Sequence, residues 1–183
     1  MPSKMKLFTI GHSTHSPERF LALLAQHGID MLVDIRHFPG SRKFPQFNQD
    51  ELASALQKVG IEYHWLEALG GRRGKRQDGP STTNLGLHNT GFRNYADYML
   101  TPEFQEGVQK LLEIARRRHT ALMCAEGLFW RCHRRLVSDF LAANGVTMQH
   151  IMPNGELRPH TLTPAAVIVD GKVTYPGEKS LFT

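Results

Sequence analysis

Short apolar runs alternate along this chain with longer stretches in which apolar residues recur every three or four positions. The runs are typical of buried strands, and the longer stretches are typical of amphipathic helices. Five strands are predicted, at residues 6–10, 31–35, 61–66, 120–124 and 147–151. Because strands and helices alternate, the pattern predicts an α/β fold in which an open, mostly parallel sheet of about five strands carries helices on both faces.

Local signals mark the ends of the predicted helices. The run Ser16-Pro17-Glu18 is a favourable helix start, and this helix is expected to end near Gly28. Asn48 and Glu51 have the spacing of a capping box, which predicts a second helix that ends at Gly60. Three further helices are predicted, at residues 95–100, from 101 to about 118, and at 134–143.

The C-terminal part of the chain departs from this alternation. Residues 166–169 and 172–175 are short apolar strands joined by Asp170-Gly171, a dipeptide that favours a two-residue hairpin turn. With no repeat and no linker, the 183 residues are expected to form a single domain at 1–183, with a core at about 6–152 and a hairpin extension at 153–183. A (β/α)8 barrel would need about eight strands, so an open sheet is favoured.

Composition and charge narrow the possible locations and partners. No apolar run approaches the roughly 20 residues of a membrane helix, and the N-terminus lacks the apolar region of a signal peptide. We therefore expect a cytoplasmic protein that does not bind membranes. The net charge of +5 favours anionic partners such as phosphates, nucleotides or nucleic acid. The oligomeric state is left open.

Polar side chains follow each of the first strands. In a parallel sheet the carboxyl ends of the strands meet at one edge, so these loops should converge. Gly11-His12-Ser13 lies between a strand and a helix, where backbone N–H groups can bind an anion. Asp34 and Arg36 share a strand face and either form an ion pair or place a general base beside a cation. Ser41 follows in the same loop.

The segment at residues 119–135 concentrates the candidate chemistry. It carries both cysteines, and Cys124 ends a predicted buried strand, where a thiolate would be stabilised by the next helix and its arginines. The spacing from cysteine to arginine required by a tyrosine phosphatase is absent for both thiols. A persulfide loop, inert buried thiols and an incomplete metal site remain alternatives. Three polar candidates accompany the thiols, namely Glu126, His133 and Arg134.

A glycine- and arginine-rich segment at residues 70–76 adds a second source of positive charge. Its four cationic residues suit contacts with phosphates or with a nucleic-acid backbone, although a solvated loop would have the same composition. The arginines at 116–118 end a helix, where cations complement the helix dipole.

Several of these motifs, in this order, resemble the domain of unknown function 488 family over residues 6–152. The matching segments are residues 9–13, 32–36 with Pro39 and Ser41, 45–48, 63–71, Phe92 with Tyr95, 124–126 and 132–134. This chain differs in having Gly-Leu-Phe-Trp-Arg between Glu126 and Cys132. The resemblance implies a compact α/β domain with a polar cluster at the strand ends, and it adds Gln46 and Tyr63 to the ligand-binding candidates. It implies no activity and no cofactor.

These observations lead to three hypotheses. The first is an enzyme that acts on a phosphate-bearing ligand, with Asp34, Glu126 and His133 as acid–base groups and Cys124 as a nucleophile. The anion would be bound by residues 11–13, Arg36, Ser41 and Arg134. The second is a non-catalytic nucleic-acid or nucleotide binding module that uses the basic segment and the aromatic residues Phe47 and Trp130. The third is a sulfur-transfer or redox protein centred on Cys124 and Cys132.

Overall fold

The computed structural model describes residues 3–75 and 83–177. Five helices and eight strands occur in this part of the chain. In chain order they are β1 (Lys6–Gly11), α1 (Pro17–Gln26), β2 (Met31–Asp34), α2 (Gln49–Lys58), β3 (Glu62–Trp65), α3 (Thr90–Tyr98), α4 (Pro102–Ala115), β4 (Thr120–Cys124), α5 (Arg134–Ala143), β5 (Thr147–Ile151), β6 (Leu157–Pro159), β7 (Val167–Val169) and β8 (Lys172–Thr174). Residue 76 of the basic segment and residues 178–183 of the C-terminal extension lie outside the described residues.

The main sheet has six strands in the order β3-β2-β4-β1-β5-β6. The first five are parallel to one another, and β6 pairs antiparallel with β5 at one edge. The α/β fold with a mostly parallel sheet is therefore confirmed. Strand β6 was not predicted, because its three residues are all exposed and carry no apolar alternation.

Two hydrophobic cores cover the two faces of the sheet. Phe20 and Leu24 of α1 and Leu56 of α2 pack on one face, and the helices α3, α4 and α5 pack on the other. Alternate residues of each strand point to opposite faces, so Phe8 belongs to the first core and Leu7 to the second. The prediction of helices on both faces is thus confirmed.

Most of the predicted helix ends agree with the structure, with two exceptions. The Ser16 side chain accepts a hydrogen bond from the Arg19 N–H, as an N-cap does. The capping box at Asn48 is wrong, because the Asn48 side chain accepts instead from the Ser41 N–H at 2.7 Å and fixes the preceding loop. Helix α3 begins at Thr90, well before the predicted residue 95. The Asn89 side chain is its N-cap and accepts from the Phe92 N–H.

The C-terminal hairpin is confirmed as β7 paired with β8. Asp170 and Gly171 have φ angles of 51° and 75°, as a two-residue turn of this kind requires. Strand β7 is exposed, but Val173 of β8 and the following Tyr175 are buried against the core that contains α5. The hairpin thereby covers part of the face on which α5 lies.

The order of the strands creates a crevice at the carboxyl end of β4. The chain leaves β1 toward the face of α1, and it leaves the neighbouring β4 toward the opposite face, where α5 lies. Adjacent strands whose connections diverge in this way leave a gap between their loops, and ligands of open α/β sheets bind there. Cys124 is the last residue of β4 and therefore lies at this point.

No helix among residues 3–75 and 83–177 is both long enough and apolar enough to cross a membrane.

Candidate functional site

The two cysteines, eight positions apart in sequence, are in contact. Cys124 at the end of β4 is buried, and Cys132 just before α5 is partly accessible. Their Sγ atoms are 3.2 Å apart, about 1 Å more than the length of a disulfide bond. A dithiol in this position can form a disulfide with only a small movement of the connecting loop.

Arg134, in the first turn of α5, lies against this pair and is completely buried. Its Nε and its backbone N–H both donate to the Cys132 Sγ, each at 3.3 Å. Its two terminal nitrogens donate to the Thr9 Oγ1 at 3.1 Å and to the Glu126 backbone oxygen at 2.5 Å. Within the described residues, no carboxylate makes a salt bridge with Arg134. The sulfur of Cys132 is therefore the ionisable acceptor to which its buried guanidinium donates.

These contacts shift the pKa values of the two thiols in opposite directions. Burial and the hydrogen bond with Cys132 raise the pKa of Cys124 well above its ordinary value. Burial alone would also raise the pKa of Cys132, but the Cys124 hydrogen bond and the Arg134 charge lower it well below its ordinary value. The arrangement thus favours a thiolate on Cys132 and a thiol on Cys124.

Gly11 is required for this geometry. A Cβ built on Gly11 would lie 1.8 Å from the Glu126 carbonyl oxygen, so no other residue fits without moving the loop. The same oxygen accepts from Arg134 and, at 3.6 Å, from the Cys124 thiol. The close approach of β1 to residues 125–133, here called the cysteine loop, therefore fixes the Glu126 carbonyl oxygen that accepts from Arg134 and Cys124.

A second polar group lies on the other face of the sheet, toward α1 and α2. The fully buried Asp34 accepts two hydrogen bonds to one oxygen and three to the other. Four of them come from Arg36, and the Tyr63 hydroxyl donates the fifth at 2.6 Å. The expected pairing of Asp34 with Arg36 is present as a buried, bidentate ion pair.

His12 belongs to this second group. Its ring stacks on Phe47 with centroids 4.4 Å apart, and its Nδ1 donates to the Ser13 carbonyl. Burial lowers the pKa of His12 to about 4, so the ring is neutral at pH 7. Its Nε2 is buried without a hydrogen-bond partner among the described residues. Phe47, which was expected to be free for base stacking, is only 1% exposed.

The donors that were predicted to bind an anion are largely occupied. The backbone N–H groups of His12 and Ser13 donate to Cys124 and Ala125 of the neighbouring chain segment, each at 2.9 Å. The Ser41 hydroxyl accepts from the N–H groups of residues 43 and 44 and so stabilises its own turn. Gln46 is half-buried.

His133 and Glu126 fix the cysteine loop. The Nε2 of His133 donates to the Ile35 carbonyl at 2.8 Å, and its ring packs beside Tyr95 and over Gly71. The Glu126 carboxylate accepts from the Leu128 N–H at 3.2 Å. His133 thereby ties the start of α5 to the end of β2. The predicted residues accordingly form two groups, the cysteine group on the α5 face and the Asp34 group on the α1 and α2 face.

The basic segment is partly ordered by its own backbone. Arg73 donates to the carbonyl oxygens of Glu67 and Gly70, and its guanidinium lies 4.0 Å from the Tyr98 ring. Within the described ranges, no group of three or more His, Cys, Asp or Glu residues could hold a metal ion.

The model of the family described as "Domain of unknown function DUF488" matches residues 16–141, which is more than half of the chain. The chain belongs to the DUF488 family. No curated protein and no solved structure matches it in the corresponding comparisons. The DUF488 match spans α1 to α5 and therefore includes both cysteines and Arg134, but it ends before β5 and the hairpin.

Sequence reasoning about this DUF488 chain named Cys124 as the nucleophile and included Cys132 only in the sulfur-transfer or redox hypothesis. The geometry instead favours Cys132, which is more accessible and has Arg134 beside it. Its position one residue before the N-cap of α5 was a usable signal, because thiolates are stabilised near helix N-termini. Thr9 was missed because it looks like an ordinary strand residue.

Proposed function

We propose that this protein catalyses thiol–disulfide exchange, with Cys132 as the nucleophile and Cys124 as the resolving thiol. The observation that carries the proposal is the pair of sulfurs 3.2 Å apart with the buried Arg134 donating to Cys132. Buried inert thiols need no such partner. A fully buried guanidinium that contacts sulfur rather than a carboxylate is accounted for when that sulfur is an anion.

The reaction balances as an exchange with a disulfide substrate. The Cys132 thiolate attacks one substrate sulfur, a mixed disulfide forms, and the other half leaves as a thiolate. Cys124 then loses its proton and attacks the Cys132 sulfur, which releases the second substrate thiolate and leaves a Cys124–Cys132 disulfide. Two electrons pass from the protein to the substrate, and the reverse sequence reduces the protein disulfide with a dithiol. In the cytoplasm, which remains a prediction, the pair would be reduced at rest.

The test is a redox titration of the purified protein in glutathione buffers, followed by acid quenching, alkylation and mass spectrometry. We expect the disulfide to form in one two-electron transition. Its midpoint should be more oxidising than the roughly −270 mV of thioredoxin, because Arg134 stabilises the thiolate. Cys124→Ser should accumulate a mixed disulfide at Cys132, whereas Cys132→Ser should accumulate none at Cys124. A protein that stays reduced from about −300 to −120 mV would refute the proposal.

The phosphate-bearing ligand of the first hypothesis has less support at this edge of the sheet. Arg36 is held by Asp34, Arg134 is enclosed, and the N–H groups of the first loop are already bonded. Occupied donors bind a new anion only by giving up their present acceptors. An enzyme acting on phosphate at the strand ends is therefore the weaker of the two proposals.

A second candidate function, binding of nucleic acid, is favoured by a different surface. At the amino ends of the strands, a cavity of about 750 Å³ is lined by five lysines and arginines and two histidines, and none of its described lining residues is acidic. Lys4, Arg116 and Arg117 are exposed there, with no ion pair among the described residues. Arg118 of the same lining pairs with Glu62, but the three unpaired cations suit a phosphodiester backbone.

Fluorescence anisotropy with a single-stranded oligonucleotide tests this second candidate. The double variant Arg116→Ala with Arg117→Ala should weaken binding by about tenfold at low salt and flatten its salt dependence. The control, Lys58→Ala with Lys110→Ala, removes the same charge from exposed helix positions outside the cavity. Equal losses in the two double variants would reduce the effect to net charge and exclude a site.

A further inference from the structure

A chain of buried hydrogen bonds connects Arg134 to an aspartate on the far side of α5. Thr9 Oγ1 accepts from Arg134 and lies 2.6 Å from His150 Nδ1. His150 Nε2 is 2.9 Å from His160 Nδ1, and His160 Nε2 is 2.8 Å from Asp139 Oδ1. The side chains of all five residues are at most 1% exposed. None of the three intermediate residues belongs to the site that the sequence predicted.

With both histidine rings neutral and Asp139 ionised, one arrangement of protons satisfies every contact. A neutral His160 that donates to Asp139 from Nε2 must accept at Nδ1, so His150 donates from Nε2 and accepts at Nδ1 from Thr9, which accepts in turn from Arg134. His150 then carries its proton on Nε2 and donates to His160, which donates in turn to the carboxylate. Burial, together with the nearby positive charge of Arg134, lowers the pKa of His150 to about 2, which agrees with a neutral ring. All four hydrogen bonds therefore point from the cation toward the anion.

The Asp139 end of this series of hydrogen bonds stabilises a negative charge. Asp139 is completely buried and also accepts from the Thr163 N–H at 3.0 Å and from the Tyr175 hydroxyl at 2.7 Å. Tyr175 comes from the residues after β8, so the C-terminal hairpin completes this end. The ring of Phe129 stacks on His150 with centroids 3.6 Å apart and covers the middle of the chain. Arg134 and Asp139 are thus opposite buried charges joined through three intervening side chains.

Oxidation of the cysteines changes the balance of these charges. In the dithiol form, the Cys132 thiolate touches Arg134, and with Asp139 the three buried charges sum to a net negative one. In the disulfide form the thiolate is gone, and only Arg134 and Asp139 remain, with no net charge. A buried charge without compensation is strongly unfavourable, so the oxidised form depends on Asp139.

We propose that Asp139 is a positioning residue that acts through His160, His150 and Thr9 to balance Arg134 when the Cys132 thiolate is consumed, and thereby sets the dithiol–disulfide equilibrium. This inference rests on the proposed thiol–disulfide function. It gives the hairpin a role at the active site, because Tyr175 supplies one of the donors to Asp139.

The decisive variant is Asp139→Asn, which removes the charge but can retain the contacts. The amide oxygen can accept from His160 and Thr163, which now share one carboxylate oxygen, and the amide nitrogen can donate to Tyr175. We expect the equilibrium constant to shift about tenfold toward the dithiol, which is about 30 mV in reduction potential. The pKa of Cys132, followed by the ultraviolet absorbance of its thiolate, should also fall.

The titration of Cys132 is influenced by a defined set of groups. They are Cys124 on β4, His133 and Arg134 at the start of α5, and Tyr95 on α3. All of them are unchanged in Asp139→Asn. General loosening of the structure would hydrate Cys132 and move its pKa back up toward the ordinary value, so a downward shift distinguishes lost charge from lost structure.

Matched variants test whether the hydrogen-bonded chain carries the effect. Tyr175→Phe removes a donor from the same carboxylate without changing its charge, and it should move the equilibrium less than twofold. Thr9→Val interrupts the chain and should shift both readouts in the direction of Asp139→Asn, whereas Thr9→Ser retains the hydroxyl and should match the wild type. Thr9→Val also provides the test if Asp139→Asn does not fold.

The outcomes separate this inference from the proposed function. A wild-type protein that forms a reversible disulfide while Asp139→Asn and Thr9→Val leave the equilibrium and the Cys132 pKa unchanged would overturn the inference alone. A wild-type protein that forms no disulfide would overturn the function, and the Cys132 titration would still report whether Asp139 is coupled to the thiolate. Shifts of opposite sign in the two variants would also contradict the proposal.

Discussion

The Nε of Arg134 donates to the Sγ of Cys132 at 3.3 Å, in the first turn of a helix and out of reach of solvent. Arginine at the start of a helix opposes the helix dipole, and its complete burial adds a large desolvation cost. A thiolate on Cys132, which the lowered pKa of this group favours, would offset both effects. Cys132 and Arg134 therefore behave as one electrostatic unit, and the lowered pKa of Cys132 depends on it.

Replacing the guanidinium should change the reactivity of Cys132. In Arg134→Met, the loss of the positive charge should raise the pKa of Cys132, because burial then acts without a compensating cation. The rate of alkylation by iodoacetamide at pH 6 should fall at least about tenfold. Arg131→Met, which removes an exposed arginine from the same loop, is the matched control and should react like the wild type. A similar rate in both variants would show that Arg134 does not activate Cys132.

The close approach at Gly11 should make this position intolerant of any side chain. Gly11→Ala places a methyl group 1.8 Å from a backbone oxygen, so the cysteine loop must move. We expect the free energy of unfolding in urea to fall by about 2–5 kcal/mol. Gly74→Ala is the control, since a Cβ at Gly74 meets nothing within 4 Å. If Gly11→Ala is as stable as Gly74→Ala, the packing of β1 against Glu126 is not needed.

The buried ion pair on the opposite face should be sensitive to loss of one partner. Asp34→Asn leaves the Arg36 guanidinium buried with no counter-charge, and we expect a loss of about 3–5 kcal/mol in the free energy of unfolding. Tyr63→Phe removes one hydrogen bond to the same carboxylate and should cost only about 1 kcal/mol. Comparable losses in the two variants would show that the charge of Arg36 finds another partner.

The neutral, buried ring of His12 should make stability depend on pH. Its pKa is lowered from 6.5 to about 4 in the folded protein, so below pH 6.5 the unfolded chain binds a proton that the folded chain does not. The free energy of unfolding should therefore decrease between pH 6.5 and 4, by an amount on the order of 3 kcal/mol from this group. His12→Phe retains the stacking on Phe47 and should show a shallower decrease. His64→Gln, at an exposed histidine, should keep the full decrease.

Elements with regular patterns and standard end signals could be predicted from the sequence. The five parallel strands, the Ser16 cap and the Asp170-Gly171 turn each depend on local residue types, and the structure agrees with them. Strand β6 could not be predicted, because an exposed three-residue edge strand depends on its neighbour for pairing. Asn48 carried a correct local signal, but its side chain has a competing partner in the Ser41 N–H.

The sequence by itself determined that this chain forms an α/β domain and that its charged, polar and thiol side chains follow the strands. It determined this because hydrophobic periodicity and helix caps act over a few residues. Only the tertiary structure decided how those side chains are grouped. The alternation of a strand sends Asp34 to one face and Cys124 to the other, and the register of β1, β4 and β5 aligns Thr9 with His150. Contacts between residues more than a hundred positions apart, such as Arg134 with Thr9, arise from strand order and helix packing, which no local pattern encodes.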